Sequence, residues 1–144
     1  ERAHLNPLWN AVLNHQTSIV ELLIYKGADV NIVNENGESL LDMAVCCGSF
    51  KITKILVESN NFVGAKVKPK YFFRLVTNGR CNFVEFLMKN QLIEIDEYDT
   101  EDETTALIRA SMYGKMGMVG LLLHGNAKAD HKNAFGTTAL HGIA

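Results

Sequence analysis

Apolar residues recur along this chain in short clusters with a fixed inner spacing. Ile19-Val20-x-Leu22-Leu23, Ile52-Thr53-x-Ile55-Leu56, Phe83-Val84-x-Phe86-Leu87 and Met118-Val119-x-Leu121-Leu122 each fill positions i, i+1, i+3 and i+4. That spacing lines one face of a helix. Steps of 33, 31 and 35 residues separate the clusters. A second apolar column starts thirteen residues before each one: NPLWNAV from Asn6, SLLDMAV from Ser39, KYFFRLV from Lys70 and TALIRAS from Thr105. A fifth copy, TALHGIA, begins at Thr138. A third column, nine residues past each start, reads His15, Gly48, Gly79 and Gly114. Three columns in one register define an internal repeat.

Each unit predicts a short helix, a tight break, a longer helix and an extended arm. Ser39, Thr105 and Thr138 head the short helices, where a hydroxyl caps orphan backbone donors. Gly48, Gly79 and Gly114 suit a left-handed stop after the short helix. Gly27 ends the longer helix of the first unit, and Asn126 holds that place in the fourth, asparagine being tolerant of the same conformation. Leu22, Leu23, Ile55, Leu56, Phe86, Leu87, Leu121 and Leu122 are the expected core of the longer helices. One unit cannot bury its stripe alone, so neighbours stack and share a core.

NPLWNAVLNHQTSIVELLIYKGADVN (6–31) and NGESLLDMAVCCGSFKITKILVESN (36–60) carry a resemblance to the ankyrin repeat family. GRCNFVEFLMKN (79–90), TTALIRASMYGKMGMVGLLLHGNAKAD (104–130) and FGTTALHGIA (135–144) extend it. The resemblance implies an all-α solenoid of stacked helix-turn-helix units joined by hairpin-like turns. It divides residues 1–144 into units at about 1–33, 34–64, 65–99, 100–132 and a partial 133–144, in one domain of a longer protein. The third unit departs most, with Lys70-Tyr71 for the usual Thr-Pro and Gln91 for the usual stop glycine. Pro7 alone keeps the helix-start proline and His141 alone the family histidine, which Trp9, Asp42, Phe73 and Ile108 replace. Those hairpins are expected to be less tightly networked, with burial of the bulkier replacements as compensation.

The chain has 144 residues and is 47% hydrophobic, enough for a real core. Its net charge of −2 sets up no general field for nucleic acid or anionic membrane. No apolar run is long enough to span a bilayer, and the N-terminal residues lack the pattern of a signal peptide. Three cysteines, Cys46, Cys47 and Cys81, fit a reducing compartment, so an intracellular location, cytoplasmic or nuclear, is expected.

No constellation for chemistry stands out. Cys46-Cys47 lacks zinc spacing, and His4, His15, His124, His131 and His141 follow no ligand rhythm. RASMYGK (109–115) lacks the first glycine of a phosphate loop. No serine or cysteine has a histidine at a matching phase. The expectation is therefore a non-catalytic protein without metal or cofactor.

Charge is segregated instead. IEIDEYDTEDE (93–103) holds seven acids and no base, whereas residues 62–80 hold Lys66, Lys68, Lys70, Arg74 and Arg80 and no acid. An acidic finger containing Tyr98 would attract a basic partner. The basic stretch interleaves Tyr71, Phe72 and Phe73, but these read more simply as core, which disfavours nucleic acid. The family resemblance implies contact positions at hairpin tips and just before the turn glycine. By register these include Asn14, then Glu35, Asn36, Glu38 and Cys47, then Asn78, then Glu101, Asp102, Met112 and Tyr113, then Phe135. With Tyr98 they form the expected partner-binding set. The expected function is a scaffold-like module that docks another protein on a concave face of tips and first helices. Two alternatives stand beside it: a regulatory clamp on an enzyme or channel domain of the same protein, and a structural spacer. The divergent third unit and irregular spacings also fit a host-directed effector.

Overall fold

The computed structural model describes residues 5–64 and 66–140. His4 and His141, with the last residues of the partial fifth unit, lie outside that range. Eight helices occur among the described residues: α1 (Pro7–Leu13), α2 (Thr17–Tyr25), α3 (Leu40–Cys46), α4 (Phe50–Glu58), α5 (Pro69–Thr77), α6 (Cys81–Lys89), α7 (Ala106–Met112) and α8 (Met116–His124). They alternate in pairs, as the repeat predicts. Strand pairing among the described residues is limited to two isolated bridges, Val33 with Ser39 and Tyr98 with Thr105, each at the base of a hairpin-like turn. The fold is all-α.

The caps explain where helices begin. Ser39 accepts from the Asp42 amide while the Asp42 carboxylate accepts from the Ser39 amide, each at 3.0 Å, a capping box. Thr105 accepts from the Ile108 amide and Asn6 from those of Leu8 and Trp9. The third first-helix has no side-chain cap and starts earlier, with Pro69 in its first turn. Proline is at home there because its missing N–H would be unbonded anyway. Pro7 is therefore not alone in starting a helix. Gly48, Gly79 and Gly114 turn left-handed at φ 74, 68 and 68°, and Gly27 and Asn126 do so at φ 91 and 68°. His15 and Gln91, both at φ 56°, take the same turn without glycine.

The chain divides into two compact units, the first ending at Val67 and the second beginning at Lys68. Within the first, α1 packs on α3 and α2 on α4; within the second, α5 packs on α7 and α6 on α8. Like helices thus stack on like, and each pair also closes on itself. Trp9, Asp42, Phe73 and Ile108 are all buried, so the replacements for the family histidine do fill the core. Asp42 also restores a local network through its capping box, contrary to the looser hairpin expected there. Tyr71, Phe72 and Phe73 are core residues as well.

One core expectation needs correction. Leu56, Leu87 and Leu122 are buried, but Ile55, Phe86 and Leu121 are only half-buried. Leu22 is 56% exposed and Leu23 half-buried. Outside α2 the buried stripe runs through the first, second and fifth cluster positions, and the fourth lies at its edge. In α2 no described element covers the flank carrying Ile19 and Leu22, so that edge faces solvent.

Candidate partner-binding surface

Three hairpin tips carry most of the predicted site. In the first, the Asn34 side-chain oxygen accepts from the amides of Asn36 and Glu38, both at 2.9 Å, and Gly37 turns at φ 77°. The last tip repeats this: Asn133 accepts from the amides of Phe135 and Thr137, and Gly136 turns at φ 75°. An asparagine holding its own loop in this way leaves the intervening side chains pointing outward. Glu35 and Asn36 are exposed, and Phe135 is 79% exposed. Glu38 is half-buried, because its carboxylate accepts from Asn34 Nδ2 at 3.0 Å.

The middle tip differs. Asp99 takes the asparagine's place and accepts from the Glu101 amide, and the left-handed residue is Glu103 at φ 59°, one position later than the glycine elsewhere. That extra residue accounts for part of the longer repeat spacing. The tip is also tied to its neighbour. Asn133 Nδ2 donates to the Thr104 hydroxyl at 3.2 Å, and the Ala134 amide donates to the Asp102 carbonyl at 2.7 Å. His131 Nε2 lies 2.8 Å from the Glu103 carbonyl, which can only accept, so that nitrogen carries the proton. Tyr98 stacks on the His131 ring at 5.6 Å and is still 45% exposed.

The acidic run is therefore not a uniformly solvated finger. Asp96 accepts from the Lys128 amide at 2.8 Å, and Asp99 pairs with Arg109 at 3.4 Å. Burial alone would raise the Asp102 carboxyl. Hydrogen bonds from the Thr104 amide and hydroxyl, with the Arg109 charge, outweigh it and hold the group below the usual carboxylate range. Glu97, Glu101 and Glu103 are the exposed acids around the tip.

Met112 and Tyr113 end α7, each 54% exposed. Tyr113 lines a groove of about 310 Å³ between α5 and α7, together with Lys70, Phe73, Arg74, Thr77, Asn78, Asp99 and Arg109. Asn78 is the exposed C-cap of α5, and Asn14 holds the same place on α1, its amide bonding back to the Asn10 carbonyl at 2.8 Å. Cys47 caps α3 and is half-buried; burial and the adjacent Cys46 push its thiol up, away from a reactive thiolate.

The second unit thus brings together Asn78, Tyr98, Glu101, Asp102, Met112, Tyr113 and Phe135, whereas Asn14, Glu35, Asn36, Glu38 and Cys47 belong to the first. Sequence reasoning missed Asp99, Arg109, Lys70, Arg74 and Phe73 as parts of one groove. Helical spacing was the available signal: Lys70/Arg74 and Arg109/Tyr113 are both i, i+4 pairs. The spacing N-x-x-G at Asn34 and Asn133 likewise marked the two self-held tips.

Comparison with known proteins agrees with this architecture. A family model described as Ankyrin repeats (3 copies) matches residues 2–70. The chain is 28% identical over 145 residues to the Nuclear factor NF-kappa-B p105 subunit of Gallus gallus, a match covering 94% of this chain and 14% of that protein. It is 30% identical over 132 residues to the ankyrin repeat protein FPV034 of Fowlpox virus (strain NVSL), covering 92% of this chain and 31% of the relative. It is 30% identical over 91 residues to Alpha-latroinsectotoxin-Lt1a of Latrodectus tredecimguttatus, covering 62% of this chain and 6% of the relative. The chain belongs to the ankyrin repeat family. It spans less than a third of the length of each of these relatives. Ankyrin repeats are generally protein–protein interaction modules, and the family is typically non-catalytic. No helix among the described residues is long and apolar enough to cross a membrane.

Proposed function

We propose that this chain is a protein-docking module whose contact surface, in the second unit, is the two tips around Glu101 and Phe135 together with the exposed end of α7. The observation that carries this reading is the exposure of Met112, Tyr113 and Phe135 beside an acidic tip. Large side chains of this kind are what a contact surface desolvates to hold a partner. The two tips are also braced against each other through Thr104 and Asn133, so little ordering entropy is lost when a partner arrives. Glu97, Glu101 and Glu103 would steer a partner with basic residues. The three cysteines, none of them in a disulfide, support a reducing compartment.

The test is a pull-down with the wild-type chain and with a Met112→Ala/Tyr113→Ala variant, followed by binding kinetics on the captured partner. The double variant should raise the dissociation rate at least about fivefold with little change in association. A partner held equally long by both proteins would remove the end of α7 from the contact surface.

A further inference from the structure

Docking through the acidic tip does not involve the three cations that line the α5–α7 groove. Lys70, Arg74 and Arg109 line the α5–α7 groove against one carboxylate, Asp99, so the lining carries a net charge of +2 (three bases less one acid). Arg109 is the most constrained of them. Its guanidinium lies 5.1 Å from the centre of the Phe73 ring, and its Nη2 reaches Asp99 only at 3.4 Å. Charge-assisted pairs of this type normally close to about 2.7–2.9 Å. Its Nε is buried and has no hydrogen-bond partner among the described residues. A guanidinium has five donors in a planar fork, and here one is unmatched and another is stretched.

We propose that this groove receives a carboxylate side chain of a peptide partner, held by Arg109 and Arg74 with Lys70 adding charge, while bases flanking that acid in the partner meet Glu97, Glu101 and Glu103. The proposal rests on the docking reading above and specifies its occupant. Volume limits the guest: about 310 Å³ is at the bottom of the range for ligand clefts and suits one side chain. Tyr113 supplies aromatic surface for the methylene stem of an acidic residue. Asp99 offsets one of the three bases, which leaves a singly charged carboxylate as the assigned occupant, and a phosphate, which the remaining charge also attracts, is an outcome of the test. Asp99 sits in both the groove and the tip, so the acid and the bases must be close neighbours in the partner sequence.

The test is selection from a random linear dodecapeptide library displayed on phage, with the intact chain as bait. Wild-type selections should converge on an acid flanked by bases. Synthetic versions of the best peptide should then bind at least about tenfold more tightly with Glu at that position than with Gln. Lys70→Gln/Arg74→Gln, two exposed positions, should reduce that preference to within about twofold, as should the more buried Arg109→Gln. A Glu101→Ser/Glu103→Ser variant should weaken both peptides and preserve their ratio. Basic peptides that need the tip but show no acidic position would overturn the groove assignment and leave tip docking standing. Selections with no binders, or with binders indifferent to the tip and to Met112/Tyr113, would overturn both. Tighter binding of a phosphoserine peptide than of the Glu peptide would reassign the groove to phosphate and overturn the carboxylate proposal.

Discussion

A single backbone angle decides much of this fold. Each short helix must reverse within one residue, and glycine takes the left-handed turn at Gly48, Gly79 and Gly114 without steric cost. Those stops were legible because only a few residue types tolerate that angle. Gln91 was legible too, as the place where glycine is missing, and it adopts φ 56° regardless. A side chain there costs about 1–2 kcal/mol, partly offset by the entropy that glycine loses on folding. Gln91→Gly should therefore raise the chemical-unfolding midpoint, with a gain of about 0.5–1 kcal/mol. Gly79→Ala should lower it. The hydrophobic pairs were less legible. Periodicity identifies a face but not what covers it, and Leu22 lies on a flank without cover while Leu56 does not. Leu56→Ala should cost about 2–5 kcal/mol in the same measurement, whereas Leu22→Ala should stay within about 0.5 kcal/mol.

At the scale of elements, the hairpin tips show how side chains substitute for a sheet. Asn133 binds two amides of its own tip and donates to Thr104 of the tip before it. Asn133→Ala removes all three bonds, so stability should fall by about 1–2 kcal/mol and amide exchange at residues 134–137 should accelerate. The middle tip depends on charge instead. Because the Asp102 carboxyl is held below its ordinary value, it binds fewer protons in the folded chain than in the unfolded one. Its contribution is complete above the unfolded carboxylate value, near pH 4, and disappears as pH falls through the lower folded value. Asp102→Asn should accordingly flatten the loss of stability in the acid limb of a pH titration and leave the neutral-to-alkaline limb unchanged in shape. A helix boundary in the third unit was the poorest reading at this scale. Sequence register put the start of α5 at Lys70-Tyr71, but Pro69 begins it, since proline's fixed φ favours a first turn over an extended arm.

Across the whole molecule, the repeat made the fold class readable, and position within the repeat placed Met112, Tyr113 and Phe135 at the surface. Met112, Tyr113 and Phe135 occupy surface because the repeat leaves their register positions outside every packed face. The i, i+4 pairs of the groove were readable, but their meeting in one groove was not. It depends on α5 and α7 lying side by side, on a tip one residue longer than its neighbours, and on an ion pair between Asp99 and Arg109. Charge segregation was visible as a pattern, but the sequence did not show that Asp96, Asp99 and Asp102 are engaged internally. The measurement that bears most directly on docking by the second unit is an amide-exchange footprint of the intact chain bound to its selected peptide. Protection should concentrate in residues 98–104, 109–113 and 134–137, with little change along α6 and α8. Protection confined to α6 and α8, with those three segments exchanging as in the unbound protein, would contradict the account.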